Sequence, residues 1–267
     1  MNLTEKFKMP SGRSLSVVFL ATALLALTTC FTRVFASPVD PPRPVLVELF
    51  TSEGCSSCPP ADDLLRKLNG ITTNSGQLIV GISEHVTYWN NLGWADPYSQ
   101  PVYTDRQSAY SQRLHLEGVY TPQVVVNGEQ DVLGSDGSAI LRAIRAQARP
   151  SPVTVHINSA VLSGNALAVT FSVTGEAHAG SIDIIAAIVD DTAASHVLHG
   201  ENSGRLLAHV SVARSITRIA TLKAIPARTL SANLATSAQQ PNSGHHLILF
   251  AQAAGQGRVF SVESKAF

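Results

Sequence analysis

The chain of 267 residues is poor in charge: 14% of its residues are charged, 45% are hydrophobic, and the formal net charge is zero. This composition excludes a disordered, highly charged protein. A general nucleic-acid binder would show a basic excess that is missing here, and three cysteines are too few for a disulfide-dense small scaffold. We therefore expect a globular protein of one or two domains that does not bind nucleic acid.

The first 36 residues have the pattern of a secretory signal peptide. An uncharged apolar run covers residues 15–31, and a small-residue cleavage pattern ends at Ala36. The run follows three basic residues, Lys6, Lys8 and Arg13. The alternatives are an uncleaved membrane anchor and a lipoprotein attached through Cys30. We predict cleavage near Ala36, export to the periplasm or beyond, and a mature chain that is not inserted in a membrane and keeps two cysteines, Cys55 and Cys58.

After a proline-rich lead-in at residues 37–44, the pattern divides near residue 150, within Arg149–Pro152. The first part, 45–150, predicts the order strand–helix–strand–helix–strand–strand–helix. Its strands are expected at 45–50, 78–83, 123–127 and 130–133, and its helices at 59–68, 106–116 and 137–147, with Asp136 as a cap.

The second part, 151–267, predicts strands with turn signals between them and no clear helix, which is typical of an antiparallel sandwich. The strands are expected at 153–157, 167–173, 182–189, 205–212, 216–222, 246–251 and 258–262. The fold class predicted from the sequence is thus an α/β domain followed by an all-β sandwich-like domain.

The pair Cys55-Ser56-Ser57-Cys58 lies between a predicted buried strand and the start of a helix. A helix N-terminus stabilises a thiolate, and this spacing lets a second sulfur attack a mixed disulfide formed at the first. We therefore expect Cys55 to be the nucleophile and Cys58 the resolving thiol. A local structural disulfide and a metal site remain as alternatives, although zinc sites usually need a second ligand pair.

Tyr120-Thr121-Pro122-Gln123 precedes the third predicted strand, and with the element order above it resembles the thioredoxin fold. The resemblance implies a cis Thr121–Pro122 bond that faces the cysteine pair. The chain also resembles a secreted bacterial family catalogued as domain of unknown function 1223. The segments that carry this resemblance are 47–62, 85–89, 92–97, 120–128, 200–205 and 251–258. It implies an exported protein with a thioredoxin-like domain followed by a β-rich domain, and no known substrate.

The sequence departs from ordinary thioredoxins around the cysteines. Gly54 stands where those proteins have an aromatic residue, and Glu48 is one position further from the first cysteine than their buried acid. Glu48 is expected either to accept the proton of Cys58 or to be a strand-end residue that reaches solvent or pairs with an arginine. His85 follows the second strand, where it would stabilise the Cys55 thiolate, bind copper together with both sulfurs, or only cap a loop.

Four aromatic residues are candidates for a substrate-binding wall beside the cysteines: Tyr88, Trp89, Trp94 and Tyr120. The alternative is that the tryptophans form a small core of their own. The function expected from the sequence is a cofactor-free thiol–disulfide oxidoreductase that acts on protein or small-molecule thiols and disulfides. A non-catalytic binding module with a structural disulfide and a copper-handling protein using Cys55, Cys58 and His85 are the alternatives.

Overall fold

The computed structural model describes residues 43–176, 180–226, 228–236 and 244–267. The predicted signal peptide and nearly all of the proline-rich lead-in lie outside these residues. Within the described ranges, no helix is long and apolar enough to cross a membrane.

The first half of the described chain has the seven predicted elements in the predicted order. They are strand β1 (Arg43–Thr51), helix α1 (Pro59–Leu68), strand β2 (Gln77–His85), helix α2 (Pro101–Arg113), strands β3 (Gln123–Val126) and β4 (Gln130–Leu133), and helix α3 (Gly137–Ala146). Helix α2 begins at Pro101 rather than at Arg106, because a proline fits the first turn of a helix. The Asp136 carboxylate caps α3 as predicted, accepting the backbone N–H of Ala139 at 2.9 Å.

The second half contains seven strands: β5 (Val153–Ser163), β6 (Ala166–Gly175), β7 (Ile182–His196), β8 (Leu206–Leu222), β9 (Leu230–Ala235), β10 (His245–Ala253) and β11 (Val259–Ala266). The two strands predicted at 205–212 and 216–222 are one long strand, β8, since no glycine or proline interrupts it and its register shifts against β7 absorb the irregularity. Strand β9 was not predicted, because its small and polar residues have little β-propensity.

Strands account for 48% of the structure and helices for 15%, and most strands belong to one mixed sheet. Eight of them pair in the order β11-β10-β7-β8-β2-β1-β3-β4, and a second sheet has the order β5-β6-β9. Strands β1 and β2 are parallel, whereas β3 runs antiparallel to β1. The carboxyl ends of β1 and β2 therefore lie side by side at one edge of the sheet.

Strand β1 is buried on both faces. Val47 and Leu49 pack with residues of α1 and α3, among them Ala61 and Ile144. The alternate residues face the other side, where α2 lies: Leu46 belongs to an apolar cluster with Tyr103 of α2. The loop that follows β1 is thus attached to a strand fixed from both sides.

The expected boundary near residue 150 does not divide the structure into two compact units. Residues Pro41–Phe267 form one unit, because β7, β8, β10 and β11 continue the same sheet as β1 to β4. Strand β8 lies beside β2 through the pair Ser83–Val212. The sheet β5-β6-β9 packs its apolar side against β7 and β10. The second half therefore completes the sheet of the first half instead of forming a separate sandwich.

Candidate functional site

The two cysteines form a disulfide in the loop between β1 and α1. Cys58 is the residue that precedes the first turn of α1, and its carbonyl accepts the N–H groups of Ala61 at 2.8 Å and Asp62 at 3.2 Å. The bond Cys55–Cys58 joins Cα atoms 5.4 Å apart. Both cysteines are fully buried, while Ser56 and Ser57 between them are exposed.

A loop from the second half of the chain, residues 197–205, contacts the backbone around the disulfide, and we call it the cover loop. The Asn202 side-chain amide donates to the carbonyls of Glu53 and Cys55, each at 2.9 Å. The Glu201 carboxylate accepts the backbone N–H of Ser56 at 3.0 Å. Asn202 is itself fully buried, so the cover loop holds the backbone on both sides of Cys55.

Glycines let the cover loop approach the segment that follows β2. Gly200 has a φ of +77°, which side-chain-bearing residues rarely adopt, and a Cβ there would lie 3.3 Å from the Cβ of Trp94. Arg205 closes the loop by donating to the Asn202 side-chain oxygen at 2.8 Å. The orientation of the Asn202 amide is therefore fixed at both of its ends.

A buried polar cluster lies next to the disulfide loop, and we call it the His209 cluster: Glu53, Asp62, His85, Asp96 and His209. The carboxylate of Glu53, two residues before Cys55, accepts hydrogen bonds from Trp94 Nε1 at 2.8 Å and from the hydroxyl of Ser195. His209 of β8 lies between two carboxylates, with Nε2 3.3 Å from Glu53 and Nδ1 3.5 Å from Asp62 Oδ1. The cluster thus combines the β1–α1 loop, α1 and a strand of the second half.

His85 and Asp96 form the second pair of the cluster. Nδ1 of His85 is 2.7 Å from Asp96 Oδ2, and both side chains are fully buried. The same carboxylate oxygen accepts the backbone N–H of Glu53 at 2.7 Å. The rings of His85 and His209 meet edge to face with centroids 4.6 Å apart, so His85 faces this cluster as well as the end of β2.

Two members of the His209 cluster have shifted pKa values. Burial lowers the pKa of His209, but the neighbouring carboxylates of Asp62 and Glu53 outweigh it and raise the pKa to about 10. Burial would raise the pKa of Asp96, but the His85 ring and backbone N–H donors hold it below its usual range. His209 is therefore a buried imidazolium at neutral pH.

Trp89 occupies the space beside Gly54. A Cβ at Gly54 would lie 3.0 Å from the Cβ of Trp89, so the tryptophan packs directly on the backbone that precedes Cys55. Its indole N–H donates to the Thr121 hydroxyl at 2.9 Å. The aromatic group missing from position 54 is thus supplied from the segment after β2, and it connects the cysteine loop to Thr121.

The Thr121–Pro122 peptide bond is cis, which confirms that prediction. Pro122 is buried and lies near the start of α1. Gly134 is close to both, since a Cβ at Gly134 would lie 3.0 Å from the Pro122 Cβ and 3.2 Å from the Ala61 Cβ. The N–H of Gly134 donates to the Pro122 carbonyl at 2.9 Å. The structure thus brings Thr121 and Pro122 to the end of the sheet that carries the disulfide.

The other aromatic candidates are placed differently from one another. The indole N–H of Trp94 donates to Glu53, so Trp94 packs against the His209 cluster. Tyr120 donates to Asp131 at 2.9 Å, and burial raises its pKa. Tyr88 is 36% exposed and stands beside Trp89, with ring centroids 6.5 Å apart. Tyr88 and Trp89 thus keep part of their aromatic surface exposed.

Glu48 takes the second of its two expected roles, a pair with an arginine. Its carboxylate accepts Arg106 Nε at 2.5 Å and the Tyr110 hydroxyl at 2.6 Å. Along β1 it alternates with Val47 and Leu49, which face α1, so it lies on the side of the sheet away from α1. Its oxygens are committed to α2 residues, and the cysteines are attached to the other side.

Sequence reasoning missed Asp62, Asn202 and His209. Asp62 follows Cys58 by four residues, which places both on one helix face. In β8, buried and exposed residues alternate from Leu206 to Ser211, and His209 takes an inward position. A histidine on the buried side of an alternating strand was the signal available for it. Among the described residues, no group of three or more His, Cys, Asp and Glu is arranged to hold a metal ion.

Comparison with known proteins places the chain in a family. The family model described as "Protein of unknown function (DUF1223)" matches residues 46–252, and the chain belongs to this family. The match begins in β1 and ends in β10, so it includes the disulfide, the cover loop and His209. No curated protein matches the chain.

A crystal structure of a protein from Agrobacterium tumefaciens, solved by a structural genomics consortium, is similar over most of the chain. It is 27% identical, covers 85% of this chain and 95% of its own, and has a TM-score of 0.62. A β-glucosidase structure from Kluyveromyces marxianus overlaps 43% of this chain and 14% of its own at 9% identity, with a TM-score of 0.22. That overlap is too poor to indicate a shared fold.

Proposed function

We propose that the protein is an exported thiol–disulfide oxidoreductase whose reacting group is the Cys55–Cys58 disulfide. The observation that carries the proposal is the position of this disulfide, between the end of a central strand and the first turn of α1. A thiolate formed there gains from the positive end of the helix. Thr121 and Pro122 lie at the same end of the sheet, where an extended substrate would run alongside the cysteines.

We infer further that the first half of the chain is a thioredoxin-like unit built into the larger sheet. Four neighbouring strands have the order β2-β1-β3-β4, with β1 and β2 parallel and the others antiparallel. Helices α1 and α3 pack on one face and α2 on the other. The disulfide follows β1, as the resemblance to thioredoxins implies.

The expected reaction begins at Cys55. A substrate thiolate attacks the Cys55 sulfur, a mixed disulfide forms, the bond to Cys58 breaks, and Cys58 leaves with the electron pair. Attack by a second substrate thiol then releases the oxidised substrate and leaves two reduced cysteines. Both cysteines are fully buried and the cover loop contacts the backbone on both sides of Cys55, so we expect this loop to move away before a substrate reaches the sulfur.

The substrate class is a protein or small-molecule thiol or disulfide. Tyr88 and Trp89 border the site with partly exposed aromatic surface, which suits an extended peptide. The proposal includes export, because a signal peptide is predicted at residues 1–36 and a disulfide persists in oxidising compartments.

Trapping with Cys58→Ser tests this function, with Cys55→Ser as the matched control. In cells that make the full chain, Cys58→Ser should accumulate mixed disulfides that dissociate on reduction, because the resolving sulfur is missing. Cys55→Ser should accumulate markedly fewer. Equal trapping by both variants, or none by either, together with a reduction potential of the unsubstituted protein below about −300 mV, would overturn the proposal.

One observation favours a second candidate function, a binding module whose disulfide only fixes the backbone. Both cysteines are fully buried and the cover loop contacts the backbone on either side of Cys55. A disulfide used as a clasp would resist reduction by the glutathione pool. The reduction potential therefore separates the two candidates.

A further inference from the structure

Asp62 and His209 are two buried ionisable side chains whose facing atoms lack hydrogen bonds. Asp62 Oδ1 and His209 Nδ1 have no hydrogen-bond partner in the described part of the chain, yet they lie 3.5 Å apart. Their exposed fractions are 5% and 2%. The two atoms form a buried ion pair without a hydrogen bond, and burying such a pair is costly, so this pair calls for an explanation beyond stability.

The position of Asp62 on α1 brings it towards Cys58. The Asp62 N–H donates to the Cys58 carbonyl at 3.2 Å, so the two residues are one helical turn apart and share a face. Helical side chains lean towards the N-terminus of their helix, and for Asp62 that is the turn that begins at Cys58. Both are buried, so water does not screen their charges from each other.

His209 supplies the positive charge that makes this arrangement stable. The groups that face its ring are Glu53 from the β1–α1 loop, Asp62 from α1, His85 from β2 and Tyr98 from the segment before α2, at a centroid distance of 5.8 Å. Two of these are carboxylates, and His209 is the cation between them. The imidazolium therefore offsets part of the negative charge of both carboxylates.

We propose that His209, acting through Asp62, is a positioning residue that controls the proton on Cys58 during thiol–disulfide exchange, an inference that rests on the proposed function. When a substrate thiolate bonds to the Cys55 sulfur, the Cys55–Cys58 bond breaks and Cys58 becomes a thiolate. That thiolate takes up a proton from solvent, and the charges of Asp62 and His209 set how readily it does so. In the reverse direction Cys58 loses this proton and its thiolate attacks the mixed disulfide.

The test is a titration of the Cys58 thiol in a Cys55→Ser background, followed by the ultraviolet absorbance of the thiolate, with the Cys55→Ser/Cys58→Ser chain as blank. Asp62→Asn should lower the pKa of Cys58 by about one pH unit, because a neighbouring negative charge is removed. His209→Asn should raise that pKa by a similar amount. His245→Asn is the matched control, since it removes a histidine 3.1 Å from a different carboxylate, Asp190, and should leave the pKa unchanged.

Opposite shifts in the two variants would support the assignment, because a purely structural role would not produce shifts of opposite sign. Absent shifts, or shifts in one direction, would overturn it. If a variant does not fold, imidazole NMR of the unsubstituted protein decides: the pKa of His209 must differ between the oxidised and reduced forms. The titration of Cys58 does not depend on catalytic turnover. If substrates are trapped but the Cys58 pKa does not shift, only this inference is overturned. If the Cys58 pKa shifts but no substrate is trapped, only the proposed function is overturned.

Discussion

Two glutamates near the end of β1 have different environments although they are five residues apart. Glu48 is paired with Arg106 on the α2 side of the sheet, whereas Glu53 lies in the His209 cluster beside the disulfide. Burial and the charge of Glu48 raise the pKa of Glu84 well above its usual value. Arg106 therefore lies near both carboxylates, in direct contact with Glu48 and 3.8 Å from Glu84.

Glu48→Gln should lower the free energy of unfolding by about 3 kcal/mol, because Arg106 loses the charge that compensates its burial. The pKa of Cys58 should stay unchanged in the same variant. Denaturant unfolding measures the first effect and the thiolate titration the second. A lowered Cys58 pKa in Glu48→Gln would restore Glu48 as its proton acceptor.

The sequence could locate the reacting residues but not their supporting contacts. Cys55, Cys58, Thr121 and Pro122 follow from local patterns, because a motif between a strand and a helix, or before a strand, is visible in one stretch of chain. His209 meets the disulfide loop only through a long-range strand arrangement. No local periodicity reports which distant strand will lie beside β2.

At the scale of elements, the cover loop is a short connection between two long strands, β7 and β8, that reaches back to the first half. Three hydrogen bonds join it to the disulfide loop: Asn202 donates two of them and Glu201 accepts the third. Val197 at the start of the loop is buried, whereas Leu198 is 64% exposed. Segments held mainly by a few hydrogen bonds open more easily than packed strands.

Asn202→Ala should make the disulfide about tenfold faster to reduce by a small dithiol in the folded protein. The substitution leaves two buried carbonyls without donors, at a cost of about 1–3 kcal/mol to the closed loop. Ser203→Ala is the matched control, because its hydroxyl donates to Leu198 within the loop itself. Reduction kinetics under native conditions measure the effect, and equal rates for both variants would show that the disulfide is shielded by something other than the cover loop.

At the scale of the whole molecule, the two halves share a core. Leu46 and Ile82 from the first half pack in one cluster with Ile185 and Phe250 from the second. The proline-flanked segment at 149–152 lies between α3 and β5, and composition alone does not distinguish a linker between domains from a loop within one domain. Alternation of apolar and polar residues along a strand likewise predicts that one face is buried, but not which element covers that face.

A fragment of residues 37–150 should therefore fail to fold cooperatively, whereas the chain from residue 37 to 267 should unfold in a single transition. Truncation exposes the apolar face of Leu46 and Ile82 and leaves β2 as an unpaired edge. Thermal unfolding followed by circular dichroism, with sedimentation to detect aggregates, checks both chains. A fragment with a sharp transition and normal thiol chemistry would show that the first half is self-sufficient.

The hydrogen bonds from Asn202 to Glu53 and Cys55 join positions 149 and 147 residues apart. A chain made from its N-terminus presents both cysteines well before the asparagine exists. During that interval the sulfurs are accessible to oxidants and thiols, and the cover loop closes only after β7 and β8 have formed. The first oxidation of the cysteines can therefore precede the closing of the cover loop, whereas every later exchange at the disulfide requires that loop to open.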